Sequence, residues 1–323
     1  MHYNNKVLGM FENLKNGLKT ANAVRKLVFA DKGLFAYPII TALAAIILGI
    51  IMFVILIFLF ITSVLVNWSG AAQIVLVLII LYLYYLAVFF IETYLTAAML
   101  ISFREYAKGK NSKISFNESI NRTKPYLKLL FEWAVFYTII ATIIRIIEGL
   151  INRAMGRGLS GAVISSVISG AMNLAFAAAI AFSLPVILDE KKGPIDTIKL
   201  SAKFIISNFG ETFGGLIFTE LFQILFAVIG IISIIGGVLL FGSSVILGVI
   251  LVAIGFIVIV TGVVLRYVLF NCFKLIIYDY KTRKVLPKGF DKQLIDNSIK
   301  KKQGNKPGGI NPLSFGMGQQ GGL

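Results

Sequence analysis

Of 323 residues, 58% are hydrophobic and only 14% charged, which is too little charge for a soluble domain of this size. A formal net charge of +16 would point to nucleic acid in a soluble protein, but here the basic residues flank apolar runs; they read as topology signals and contacts for anionic lipid, and no nucleic-acid partner is expected. The single cysteine, Cys272, and the single histidine, His2, exclude an intrachain disulfide, a Cys/His metal site and a His-based triad.

Val7 to Ala30 alternates Leu8, Phe11, Leu14, Leu18, Ala21, Val24 and Leu27 with basic residues at helical spacing, as in a helix lying in the membrane interface. The first apolar run, Leu34 to Val66, starts too late and runs too long for a cleaved signal peptide, so it reads as a signal anchor. Asn67-Trp68-Ser69-Gly70 turns the chain, and Ala71 to Phe103 returns. A basic stretch, Arg104 to Lys128, follows, in which Ser115 or Asn117 is a candidate cap for a helix reaching Pro125. Leu129 to Ile151 and Ser160 to Leu188 form the next pair, followed by the charged loop Asp189 to Lys203. Within and beyond that loop, Ile195 to Asn208 reads as an amphipathic helix opened by Gly193-Pro194. Thr212 to Leu240 and Val245 to Tyr278 complete six spans. Residues 279–323, basic and then Gly-rich, read as a mostly disordered tail.

The expected fold is therefore an all-α, polytopic membrane protein. Six transmembrane helices form three hairpins, each preceded by an amphipathic helix on the cytoplasmic side, with residues 1–33 before the membrane domain 34–278. Placing both termini and the two long basic loops on one side leaves only Arg153 and Arg157 on the other. The positive-inside rule makes the basic side cytoplasmic, in the cell membrane. All three units have the same orientation, unlike the inverted repeats of many transporters.

Ionisable residues inside a membrane are candidates for function. By helical rise, Glu92 and Arg266 lie about three turns from the cytoplasmic ends of their spans, and Glu132 and Glu220 one to two turns in, so all four can meet. Such a cluster is either a proton or cation site or a set of internal ion pairs. Arg145 and Glu148, three residues apart, form a candidate pair near the outer surface; an anionic headgroup site is the alternative. Gly161, Ser165, Ser169, Asn173, Ala177 and Ala181 make a small-residue ridge every four residues, suited to helix contact or to lining a pore. Gly248, Gly255 and Gly262 repeat every seven residues, a second flat face.

Several segments carry a family resemblance. They are Leu129-Leu130-Phe131-Glu132-Trp133, Arg145-Ile146-Ile147-Glu148, the run from Leu184-Pro185 through Asp189-Glu190-Lys191-Lys192-Gly193-Pro194, and Ser201-Ala202 leading to Phe209-Gly210-Glu211-Thr212. Together with Asp31-Lys32-Gly33-Leu34-Phe35-Ala36-Tyr37-Pro38, they resemble the uncharacterised membrane family "domain of unknown function 6159" over roughly residues 10 to 280. The resemblance implies a six-helix membrane domain and brings no activity, cofactor or substrate.

No phosphate-binding, zinc-protease or serine-hydrolase motif is present, so no enzyme, cofactor or metal is expected. The basic amphipathic helices and small-residue faces favour a non-enzymatic organiser of lipid or partner proteins, with anionic headgroups, a second copy or another membrane protein as partner. The intramembrane Glu/Arg cluster supports the alternative, a transporter or channel for protons, cations or a small solute.

Overall fold

A backbone surrounded by lipid has to satisfy its own N–H and C=O groups, and long apolar runs do so as helices. The computed structural model describes residues 19–66, 70–109, 113–155 and 159–287, and among these every regular element is helical. Six stretches are long and apolar enough to cross a membrane: Lys32–Ser63, Gly70–Ala107, Phe116–Ala154, Gly161–Glu190, Thr219–Leu240 and Val245–Arg283.

Helix α1 covers 19–30, so only this part of the expected interfacial helix lies within the described residues; it buries Ala21, Val24 and Val28. Asp31 then accepts from Gly33 N–H at 3.3 Å and opens a 3₁₀ turn, Lys32–Phe35, ahead of α2 (Ala36–Val66). Helix α3 (Gly70–Ala107) packs against α2; the turn at Asn67-Trp68-Ser69 lies outside the described residues. Ser115 caps α4 (Phe116–Thr123), accepting from Glu118 N–H at 3.2 Å, and Pro125 sits in a 3₁₀ turn that leads into α5 (Leu127–Ala154).

The expected single helix from Ser160 to Leu188 is two helices, α6 (Leu159–Ile180) and α7 (Ser183–Glu190). Pro185 explains the break: it has no N–H, and its ring would collide with the carbonyl four residues back. The Phe182 N–H freed at the break is taken by Ser201 Oγ of α8 (Pro194–Ser207) at 3.0 Å, a buried hydrogen bond. Helix α9 (Phe209–Leu240) and helix α10 (Val245–Arg283), capped by Ser244, complete the order. Helix α10 runs past the expected end at Tyr278, because Asp279 and Tyr280 are buried; Lys284, with φ 56°, ends it.

The core lies at one end of the bundle, where α2 begins and α3 and α10 finish. Leu34, Phe103, Leu130, Ile187 and Phe273 come from five elements and are fully buried there. Arg104 holds Asp279 in a bidentate pair, Nε to Oδ2 at 2.8 Å and Nη2 to Oδ1 at 2.5 Å. Tyr37 and Ser119 join hydroxyls at 2.6 Å, and Tyr126 donates to the Leu188 carbonyl at 3.2 Å.

Helices α9 and α10 meet backbone to backbone. A Cβ on Gly255 would stand 2.6 Å from the Gly230 carbonyl oxygen, and one on Gly248 would stand 2.7 Å from that of Gly237. Only glycine permits this approach. Ser233 Oγ adds a hydrogen bond across to the Leu251 carbonyl at 2.9 Å.

Candidate functional site

On α10, Arg266, Phe270 and Lys274 stand four residues apart and so share one face. The Phe270 ring lies beneath both cations, 5.5 Å from the Arg266 guanidinium carbon and 4.3 Å from Lys274 Nζ. Arg266 is already matched: its Nε lies 2.9 Å from each carboxylate oxygen of Glu220 on α9, and Nη2 touches the same group. Lys274 is not matched. Among the described residues no carboxylate lies within 4.0 Å of its ammonium.

The facing helix, α3, supplies the opposite charge. Glu92 Oε1 accepts from the Tyr267 hydroxyl at 3.3 Å. Thr96 donates to the Glu92 carbonyl at 2.6 Å and also touches the Tyr267 hydroxyl, which holds this stretch of α3 against α10.

Glu92 and Lys274 line one cleft of about 380 Å³, with Trp133 and Tyr137 of α5 and Ala177 of α6 in its walls. A second cleft of about 620 Å³ continues along α3 and α5 toward the other end of the bundle, past Leu78, Ala141 and Arg145. Phe89, Glu92 and Tyr137 line both clefts. Phe89 and Tyr137 stack nearly parallel there, centroids 3.9 Å apart with 9° between planes. Along α3 the two clefts extend from Leu78 to Thr96, roughly 27 Å at 1.5 Å per residue, close to the ~30 Å hydrocarbon core of a bilayer.

The structure thus divides the four residues singled out from the sequence. Glu92 and Arg266 line the first cleft, and Glu220 reaches it only through its pair with Arg266. Glu132 stands apart, 3.9 Å from Lys128 one turn earlier on α5, with its side chain 40% exposed. The neighbouring residue, Trp133, faces the cleft instead.

Arg145 donates to Glu148 at 3.2 Å, and Asn173 of α6 donates to the same carboxylate at 2.5 Å. On the small-residue ridge, Gly161 and Ser165 are buried, Ser169 is half-buried, Asn173 is exposed, and Ala177 and Ala181 turn to the cleft. Gly248, Gly255 and Gly262 lie against α9. Among the described residues no group of His, Cys, Asp and Glu is placed to hold a metal ion.

Lys274 and Tyr267 escaped the sequence reading. The available signal was a second cation eight residues beyond Arg266 in the same apolar run, hence on the same helix face.

A scan of protein-family models, a search of curated proteins and a search of solved structures each return no match to this chain.

Proposed function

We propose that this protein is a multi-pass membrane transporter that moves a small polar solute through the two clefts, with Glu92 at the constriction and the Phe89–Tyr137 stack as its gate. One observation carries the reading: the same three residues line both clefts, and those clefts together extend over about the thickness of a hydrocarbon core. A carboxylate and an ammonium held inside a membrane without a direct ion pair within 4.0 Å are costly, and a transported polar group offsets that cost. The break between α6 and α7 beside the first cleft supports the same reading, since irregular backbone at membrane depth is tolerated where it lines a cavity.

The proposal extends to topology. The three hairpins, each preceded by an amphipathic helix, sit in the cell membrane with both termini in the cytoplasm, and the first cleft lies toward the cytoplasmic side. It is a non-enzymatic role, and membership of the family "domain of unknown function 6159" belongs to the proposal without adding an activity.

The test is flux of protons, monovalent cations and amino acids into proteoliposomes, wild type beside Glu92→Gln. Flux abolished by the variant is the expected result. Absence of flux for all three classes from folded wild-type protein overturns the reading.

One observation favours the organiser reading as a second. Helix α8 exposes Ile195 (61%) and Ile206 (77%) close to the exposed Lys199 and Lys203, a surface suited to anionic headgroups at the interface. An organiser would retain anionic phospholipid on purification and show no flux.

A further inference from the structure

We infer that the first cleft takes a zwitterion, one small molecule or headgroup that carries an ammonium and an oxyanion, with the oxyanion at Lys274 and the ammonium at Glu92. The inference rests on the reading of this cleft as the binding site of a transport path, and it names the chemical class of the ligand.

Charge counting is the core of the case. Among the described residues three ionisable groups reach the cleft besides its tyrosines: Glu92, Arg266 and Lys274. Glu220 already neutralises Arg266 through both of its carboxylate oxygens. That leaves one negative charge on α3 and one positive charge on α10, which are not within 4.0 Å of each other. A simple anion would satisfy Lys274 and leave Glu92 without a cation; a simple cation would do the reverse. Either leaves a charge desolvated beside the ligand, and such charges are strongly disfavoured unless paired. A dipolar ligand pairs both and adds no net charge to the membrane interior.

The walls suit the same ligand. Trp133, Tyr137 and Phe89 line the cleft together with Glu92, so an ammonium bound there has aromatic rings as neighbours. Asn271 is tethered by its amide to the Tyr267 carbonyl at 2.9 Å, so the α10 wall between the two charges is fixed. The volume of about 380 Å³ lies within the range of roughly 300–1,000 Å³ found for small-molecule sites.

Two sources supply this chemistry: a free amino acid (ammonium and carboxylate) and the headgroup of phosphatidylethanolamine (ammonium and phosphate). They are separated in two arms. In the first, protein in phosphatidylglycerol nanodiscs is equilibrated with the proteinogenic L-α-amino acids, and retained compounds are identified by mass spectrometry. In the second, protein from vesicles of phosphatidylethanolamine and phosphatidylglycerol is stripped into detergent, and the bound lipid is read by native mass spectrometry.

The expected result is a zwitterion retained in one arm and reduced at least about tenfold in both Glu92→Gln and Lys274→Met. The amide or the deaminated acid of a retained amino acid should compete at least about tenfold less well. Ala177→Trp, which fills the cleft and leaves both charges in place, should also abolish retention, and guards against a charge variant that fails to fold. Retention of no zwitterion in either arm overturns the inference. So does phosphatidylglycerol retained as strongly as phosphatidylethanolamine, or retention unchanged in folded variants. Glu92-dependent flux without zwitterion retention would leave the transport reading standing and this inference failed. Retention without flux would do the opposite.

Discussion

The two ends of this bundle are held by different means. At the end where α3 and α10 finish, side chains from α1, the first 3₁₀ turn, α3, α5, α7 and α10 bury one another, and Arg104, Tyr37 and Tyr126 tie the elements by hydrogen bonds. Elsewhere α6, α9 and the start of α10 carry bare aliphatic surfaces: Val167, Leu174, Leu239 and Ile246 are 66%, 72%, 76% and 74% exposed. None of the most apolar window of α2 or α3 is buried within the protein. Lipid tails are as apolar as leucine, so these faces gain little by packing on each other. The fold is therefore specified at one end by protein contacts, while the other end depends on the bilayer. Between them lies the stretch with the clefts, which the protein core leaves open.

Mutations can break this comparison in order of expected effect. The largest belongs to Arg104→Ala, because Arg104 and Asp279 are only 12% and 13% exposed and the variant leaves a carboxylate alone. Loss of one partner from such a pair costs about 3–5 kcal/mol, to be read as a fall in the thermal unfolding midpoint in micelles. Gly255→Ala should come next, at about 1–3 kcal/mol, since its methyl would meet the Gly230 carbonyl and force α9 and α10 apart. A cross-link between α9 and α10 would report the separation directly.

Asn173→Leu probes the other end. It removes the hydrogen bond to Glu148, and interhelical bonds of this kind in membranes are worth about 0.6 kcal/mol, so a small shift in unfolding within bicelles is expected. The smallest effect belongs to Leu174→Ala, within about 0.5 kcal/mol in lipid, because that side chain is 72% exposed. A large loss from Leu174→Ala in lipid, or none from Arg104→Ala, would show that the two ends are not held as described.

Much of the fold was legible because length and hydropathy suffice to mark six helices long and apolar enough to cross a membrane. What hydropathy could not show was the break at Ala181-Phe182. Pro185 was visible, but whether a proline bends or interrupts a helix depends on whether backbone groups exposed by a break find other partners, here the Phe182 N–H on Ser201 from a different element. Nor could it show that Asp279 belongs to the core; a carboxylate after an apolar run reads as a helix end until Arg104 is known to face it.

The site was legible in part. Glu92 and Arg266 stood out as charges in apolar runs, and both line one cleft. Depth along a helix, however, says nothing of direction around it. Glu132 pairs with Lys128, and Trp133 faces the cleft in its place. Lys274 was overlooked because it lies near the basic end of α10, where a lysine is ordinarily taken to reach the interface rather than a cleft.

Directional access to the two clefts tests the central claim most directly. Native Cys272 is buried and gives little background, so single cysteines can be placed at Ala177 in the first cleft and Ala141 in the second. Each variant is labelled in sealed, oriented vesicles with a membrane-impermeant thiol reagent from one side and then the other. A transport path gated by Phe89 and Tyr137 predicts that Ala177→Cys reacts from the side of the Arg104–Asp279 pair and Ala141→Cys from the opposite side. If neither cysteine reacts from either side, lipid fills both clefts and the transport account fails.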